Sequence, residues 1–199
     1  MAQKKWDIIV PLTAVALLSA ILCSCAAPDN GQKLAKDLIA AGFRPMEPFQ
    51  PRSDDKTKTG PFIHGGSLVI YDNGSFALDE QGCVTRMHVY ATRPSYMTDE
   101  LSPISISTFK STNMLLLKKK EILSLYGYQE KANALSTGSA LHYMYRLGTS
   151  GLIHITFSLE GSEDSDKLEG ISASYSSDEL AQKLLNEGKS SDFYDWPTT

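Results

Sequence analysis

A chain of 199 residues, 42 % of them hydrophobic, is long enough to bury a core, and its formal charge of −4 lacks the basic excess that a nucleic-acid partner demands. Three cysteines rule out a disulfide-dense scaffold. The N-terminus reads as a secretory signal over residues 1–24: Lys4 and Lys5, then the fifteen-residue apolar span Ile8 to Leu22, then small residues. That span is shorter than a membrane-crossing helix and is interrupted by Pro11, Thr13 and Ser19.

Leu22, Cys23, Ser24 and Cys25 resemble the lipobox of bacterial lipoproteins. The resemblance implies cleavage before Cys25 and a diacylglyceryl group on its sulfur, with fatty acylation such as palmitate completing the anchor. A thioether needs a nucleophilic thiol, which no other side chain supplies. Two or three acyl chains hold a protein on a bilayer where one binds reversibly. Loss of Lys4, Lys5 and Asp7 takes the 19 basic and 23 acidic residues to 17 and 22. Cys83 is then the one free thiol, so no internal disulfide is expected. Ala26, rather than Asp, follows the lipidated cysteine, which implies an outer-membrane address where the organism has that membrane.

After a tether over residues 25–31, Leu34, Leu38 and Ile39 fall at helical spacing, and Gly42 suits the left-handed residue beyond a helix end. Pro45, Pro48 and Pro51 among charges predict a surface loop from Arg44 to Gly60. Three strand signals follow, "SLVIYD", "SFALD" and "CVTRMHVYA", joined by Asn73-Gly74 and by a turn through Gly82. Pairing Asp72 with Ser75 sets Tyr71 opposite Phe76 and Val69 opposite Leu78, on one apolar face.

Residues 92–117 read as a linker with a short strand at "ISIS". A second helix carries Leu117, Ile122, Leu125 and Tyr126 and stops at Gly127, with Lys118 to Lys120 on its solvated side. "LHYMYRL", "LIHITFSL" and "LEGISASY" predict three more strands, the first two joined by Gly148 to Gly151. Ser176 and Glu179 form a capping-box pattern before a last helix through Leu180, Leu184 and Leu185, and Phe193, Tyr194 and Trp196 follow in a tail expected to dock on the domain. The expected fold class is therefore α+β, with two helix-plus-antiparallel-meander units (αβββ repeated, residues 32–91 and 118–175) and a C-terminal helix at 176–199.

A helix ending in "LYG" ahead of a three-strand meander resembles the SmpA/OmlA group of small outer-membrane lipoproteins, which assist β-barrel assembly, and the secreted β-lactamase inhibitor proteins. The resemblance spans roughly Lys118 to Tyr175. It implies a helix layer on one sheet face and a partner-binding face opposite.

The search for chemistry yields little. "STFKSTN" at Ser107 to Asn113 and Lys58-Thr59-Gly60 match signature elements of serine β-lactamases and penicillin-binding proteins, but in the wrong order and context. The chain is therefore expected not to be an enzyme. The histidines at 64, 88, 142 and 154 form no His-Glu-x-x-His pattern, and pairing Leu147 with Leu152 sends His142 and His154 to opposite faces. No metal and no cofactor is expected. The same pairing groups Tyr143, Tyr145, His154 and Thr156 on the open sheet face, read as the surface for another envelope protein because tyrosine is enriched where proteins bind. The alternative is a small-ligand or envelope-polymer binding protein, its ligand held between the two halves or under the Pro-rich loop.

Overall fold

The computed structural model describes residues 30–63, 65–95, 100–134, 138–189 and 192–197. The signal segment, the lipobox and Cys25 lie outside them, as does His64. Helix α1 (Asn30–Ala40) forms where expected and buries Leu34 and Leu38 completely. It ends because Gly42 takes φ +105°, a conformation that costs a residue with a Cβ about 1–2 kcal/mol. The chain then turns back, and the Phe43 amide donates to the Leu38 carbonyl at 2.9 Å.

Four strands follow, β1 (Lys58–Pro61), β2 (Ser67–Tyr71), β3 (Gly74–Leu78) and β4 (Val84–Tyr90). Helices α2 (Lys119–Tyr126) and α3 (Glu130–Asn133) precede β5 (Ala140–Leu147), β6 (Gly151–Leu159) and β7 (Leu168–Ser176). Helix α4 (Glu179–Glu187) and the short β8 (Tyr194–Asp195) close the described chain. Asp178, not Ser176, caps α4 by accepting from the Ala181 amide at 2.8 Å.

These strands make one mixed sheet in the order β1-β2-β3-β4-β7-β6-β5-β8, antiparallel throughout except for the parallel pair β5 and β8. This corrects the expectation of two αβββ units. Strands β4 and β7 pair from Arg86 with Ser174 to Tyr90 with Gly170, so the two meanders are one hydrogen-bonded surface. Two additions lie outside the repeat: β1, drawn from the segment read as loop, and β8, drawn from the tail. "ISIS" is not a strand; Ile104 and Ile106 drop into the core while the chain makes an isolated bridge, Ser107 to Asn113. The main apolar cluster runs from Leu34 and Phe43 through Val69, Met87 and Ile155 to Trp196.

Register decides which face each side chain occupies, because strand side chains alternate with period two. In the first hairpin Tyr71 pairs with Gly74 and Val69 with Phe76. The slip from the expected pairing is two residues, so Val69, Tyr71, Phe76 and Leu78 still share the buried face. In the second hairpin Leu147 pairs with Gly151, not Leu152, because Gly148 at φ +62° closes a loop one residue shorter than expected. That odd slip inverts the faces. Tyr143 and Tyr145 point into the core, fully buried, alongside Ile153, Ile155 and Phe157.

The helical layer is tied together by tyrosine hydroxyls. Tyr145 donates to the Gly31 carbonyl at 2.8 Å, and Tyr143 to the Gly127 carbonyl at 2.7 Å. Trp196 packs edge-on against both Phe43 and Tyr145, at 5.7 and 5.2 Å between ring centres, so the aromatic tail docks. Gln32 donates to the Asp195 carbonyl at 2.7 Å, which stitches the tail to α1. On the opposite face, α4 lays Ala181 and Leu185 over Leu152, with Phe193 and Met144 completing a small second cluster.

Strand β5 lies near the end of the sheet, and two side-chain amides spaced one helical turn apart cover its outer edge. Gln129 accepts from the Met144 amide and donates to its carbonyl, at 2.6 and 3.1 Å. Asn133 does the same for His142, at 2.8 Å each way. Both amides thus stand in for a neighbouring strand.

Candidate functional site

The Pro-rich segment that composition reads as a surface loop is bound along the β3–β4 turn. Met46 and Phe49 donate their amides to the carbonyls of Val84 and Gly82, at 2.9 and 3.0 Å, and the Val84 amide returns a bond to the Glu47 carbonyl. Met46 adopts φ +65°, unusual for a residue with a side chain, so this path is held by its neighbours against local preference. Further on, the Ser102 amide donates to the Lys56 carbonyl and the Lys56 amide donates to the Ser102 hydroxyl, both at 2.9 Å, which fixes the far end of the segment beside residues 103–105.

Between this segment, the end of α1 and residues 103–105 lies a cleft of about 460 Å³. Small-molecule sites span roughly 300–1,000 Å³, so the space suits a small ligand. Its floor is aromatic. Phe49 and Phe76 sit 5.0 Å apart between ring centres, and Tyr71 meets Phe76 edge-on at 5.7 Å. Val84 and Ile104 complete the apolar lining.

The charged groups come from the loop itself. Tyr71 donates its hydroxyl to Asp55 at 2.8 Å. Burial, with the Asp55 carboxylate beside it, pushes the Tyr71 phenol well above its ordinary range, while Arg52 opposes the shift. The hydroxyl therefore stays protonated and acts as a donor, not a nucleophile. Arg44 pairs with Glu47 at 3.6 Å at the mouth. Arg52 also lines the cleft and makes no ion pair among the described residues. Aromatic rings and the Arg52 guanidinium in one lining, together with the Glu47 and Asp55 carboxylates, can hold a ring-shaped molecule that carries polar or charged groups.

The residues singled out on β5 and β6 do not form one surface. Tyr143 and Tyr145 are buried beneath the helical layer, whereas His154 and Thr156 lie half-buried on the other face. The inversion also brings together what had been set apart: His142 Nδ1 lies 3.1 Å from His154 Nε2 and 3.2 Å from the Thr156 hydroxyl. His88, on the same face of β4, bonds Ser172 at 2.6 Å through Nδ1. Among the described residues no group of three or more His, Cys, Asp or Glu side chains converges to hold a metal ion. No described helix is long and apolar enough to cross a membrane.

Sequence reasoning missed Arg52, Asp55 and Tyr71 as cleft residues. A signal was present in Phe49, a large apolar residue within "EPFQPRSDD", where a purely solvated loop has no use for one. Comparison with protein-family models, with curated proteins and with solved structures finds no match to this chain.

Proposed function

We propose that this protein is an extracytoplasmic lipoprotein, held on a membrane through acyl chains on Cys25, which binds a small molecule or a piece of envelope polymer in the cleft under residues 44–55. It is not an enzyme in this reading. The observation that carries it is the cleft itself: about 460 Å³ with an aromatic floor and the Arg52 guanidinium uncommitted at its wall. The lipobox-like Leu22 to Cys25 and the charge, apolar and small-residue order before it support the anchored location. Capture of another envelope protein through a tyrosine face loses its support, because Tyr143 and Tyr145 are core residues.

Soluble fragments of the native envelope, fractionated by size and charge, test the reading by thermal shift. A ligand at 100 times its Kd stabilises the folded state by about 2.7 kcal/mol, which moves the melting point of a chain this size by several degrees. At least one fraction should do so for the parent protein and not for Arg52→Ala. If no fraction shifts the parent protein, or the variant shifts equally, the assignment fails.

A further inference from the structure

We infer that His142 and His154 form a two-histidine site for an imidazole-preferring divalent transition metal, of the Zn2+ or Cu2+ kind, on the sheet face opposite the cleft. The two residues are diagonal neighbours: His142 pairs with Thr156, and His154 with Met144. Their ring planes differ by 20° while the centres stand 5.1 Å apart. With Nδ1 and Nε2 at 3.1 Å, that places the rings edge to edge, nitrogen facing nitrogen, rather than face over face.

The span matches metal geometry. Bonds of about 2.0–2.1 Å drawn from two nitrogens 3.1 Å apart meet at roughly 100°, between the square-planar and tetrahedral angles that Cu2+ and Zn2+ adopt. The nitrogens stand within reach of one ion, and its binding turns both rings so that lone pairs lying along the N–H···N axis converge beside it. Asn133 clamps the His142 backbone at both its amide and its carbonyl, and Thr156 brings a hydroxyl within 3.2 Å of the facing nitrogen, beside the coordination sphere. Both side chains are half-buried, so water can occupy the remaining positions on the ion.

Protonation also favours binding. Burial lowers the basicity of both imidazoles, and for His154 the neighbouring His142 lowers it further. Both shifts favour the neutral imidazole, the form that ligates a metal. In the metal-free pair one facing nitrogen carries the hydrogen of the N–H···N bond, and the other presents its lone pair. Metal binding moves that hydrogen to the far nitrogen of the same ring, so both lone pairs face the ion and no net proton is released.

Tag-free protein titrated with ZnCl2 or CuCl2 alone, by calorimetry at neutral pH, tests the site. One ion should bind per chain. His142→Gln and His154→Gln should each weaken binding at least about tenfold, the lower bound known for losing a mere supporting residue, while His88→Gln should leave it unchanged. Electron paramagnetic resonance of the parent protein with one equivalent of Cu2+ should show coupling to two nitrogens, a readout that needs no variant to fold. Absence of saturable binding, coupling to fewer than two nitrogens, or full binding by a folded double variant would overturn the site.

Discussion

The Tyr126 hydroxyl donates to Asp37 Oδ2 at 2.7 Å, joining α2 to α1 in the centre of the helical layer. Both residues are buried, Tyr126 completely. The contact links helices from opposite halves of the chain, and it helps explain why the two meanders share one core. Tyr126→Phe leaves a buried carboxylate short of its donor and should cost about 1–3 kcal/mol, measurable by urea denaturation.

Asp37 also makes stability depend on pH. Burial raises its pKa above the ordinary carboxylate value, more than its hydrogen bonds from Tyr126 and the Phe109 backbone lower it. The folded chain thus holds this proton more tightly than the unfolded chain, so the stability tied to Asp37 falls as pH rises from about 4, the unfolded value, through the folded pKa. Asp37→Asn keeps an acceptor for Tyr126 and carries no charge. The melting temperature of the parent minus that of the variant should decline between pH 4 and 7; a flat or rising difference would contradict the assignment.

Tyr143 and Tyr145 serve as stabilising core residues. Replacement by Phe removes one hydrogen bond to a backbone carbonyl, costing about 1 kcal/mol each. Replacement by Ala opens a cavity and should cost about 3–5 kcal/mol, enough to unfold a large fraction of the protein. Chemical denaturation of the four variants checks the contrast. Ala variants of parental stability would mean that these side chains are exposed.

The amides of Gln129 and Asn133 cover strand edge that would otherwise pair with another chain. The double variant Gln129→Ala, Asn133→Ala should self-associate with rising concentration while each single variant does so less. Sedimentation velocity reports it, and a double variant that stays monomeric would deny the edge-covering role.

Asn73 holds the wall of the cleft. Its side chain accepts from the Ile104 amide at 2.7 Å and donates to the Ile104 carbonyl at 3.1 Å. Asn73→Ala leaves two buried backbone groups unpaired, which should cost about 2–3 kcal/mol and loosen residues 103–105. Amide hydrogen exchange should rise there first, ahead of the distant β5–β6 hairpin.

The same residue shows what was legible in the sequence and what was not. Asn73 and Gly74 mark a hairpin, and a hairpin forms, but the two-residue loop is Asp72 and Asn73, with none of the three at positive φ. Gly74 is needed because a Cβ there would meet the His88 carbonyl at 2.2 Å, an approach set by β4 and invisible locally. Apolar spacing located α1, α2 and the strands that carry the core, since burial imposes period on the residues themselves. Loop length carried no such signal. A one-residue error at Gly148 was enough to put Tyr143 and Tyr145 outside and to part His142 from His154, whereas the two-residue error at Asn73 changed no face. The cleft was harder still to read, because it is made by a proline-rich segment whose partners, Val84 and Ser102, lie far along the chain.

Native mass spectrometry of the protein, taken from its own membranes in mild detergent, tests the central claim most directly. A lipidated chain carrying one small molecule, lost in Arg52→Ala and retained in His142→Gln, is the predicted result. A lipidated parent chain with nothing bound, or an adduct indifferent to Arg52, would contradict it.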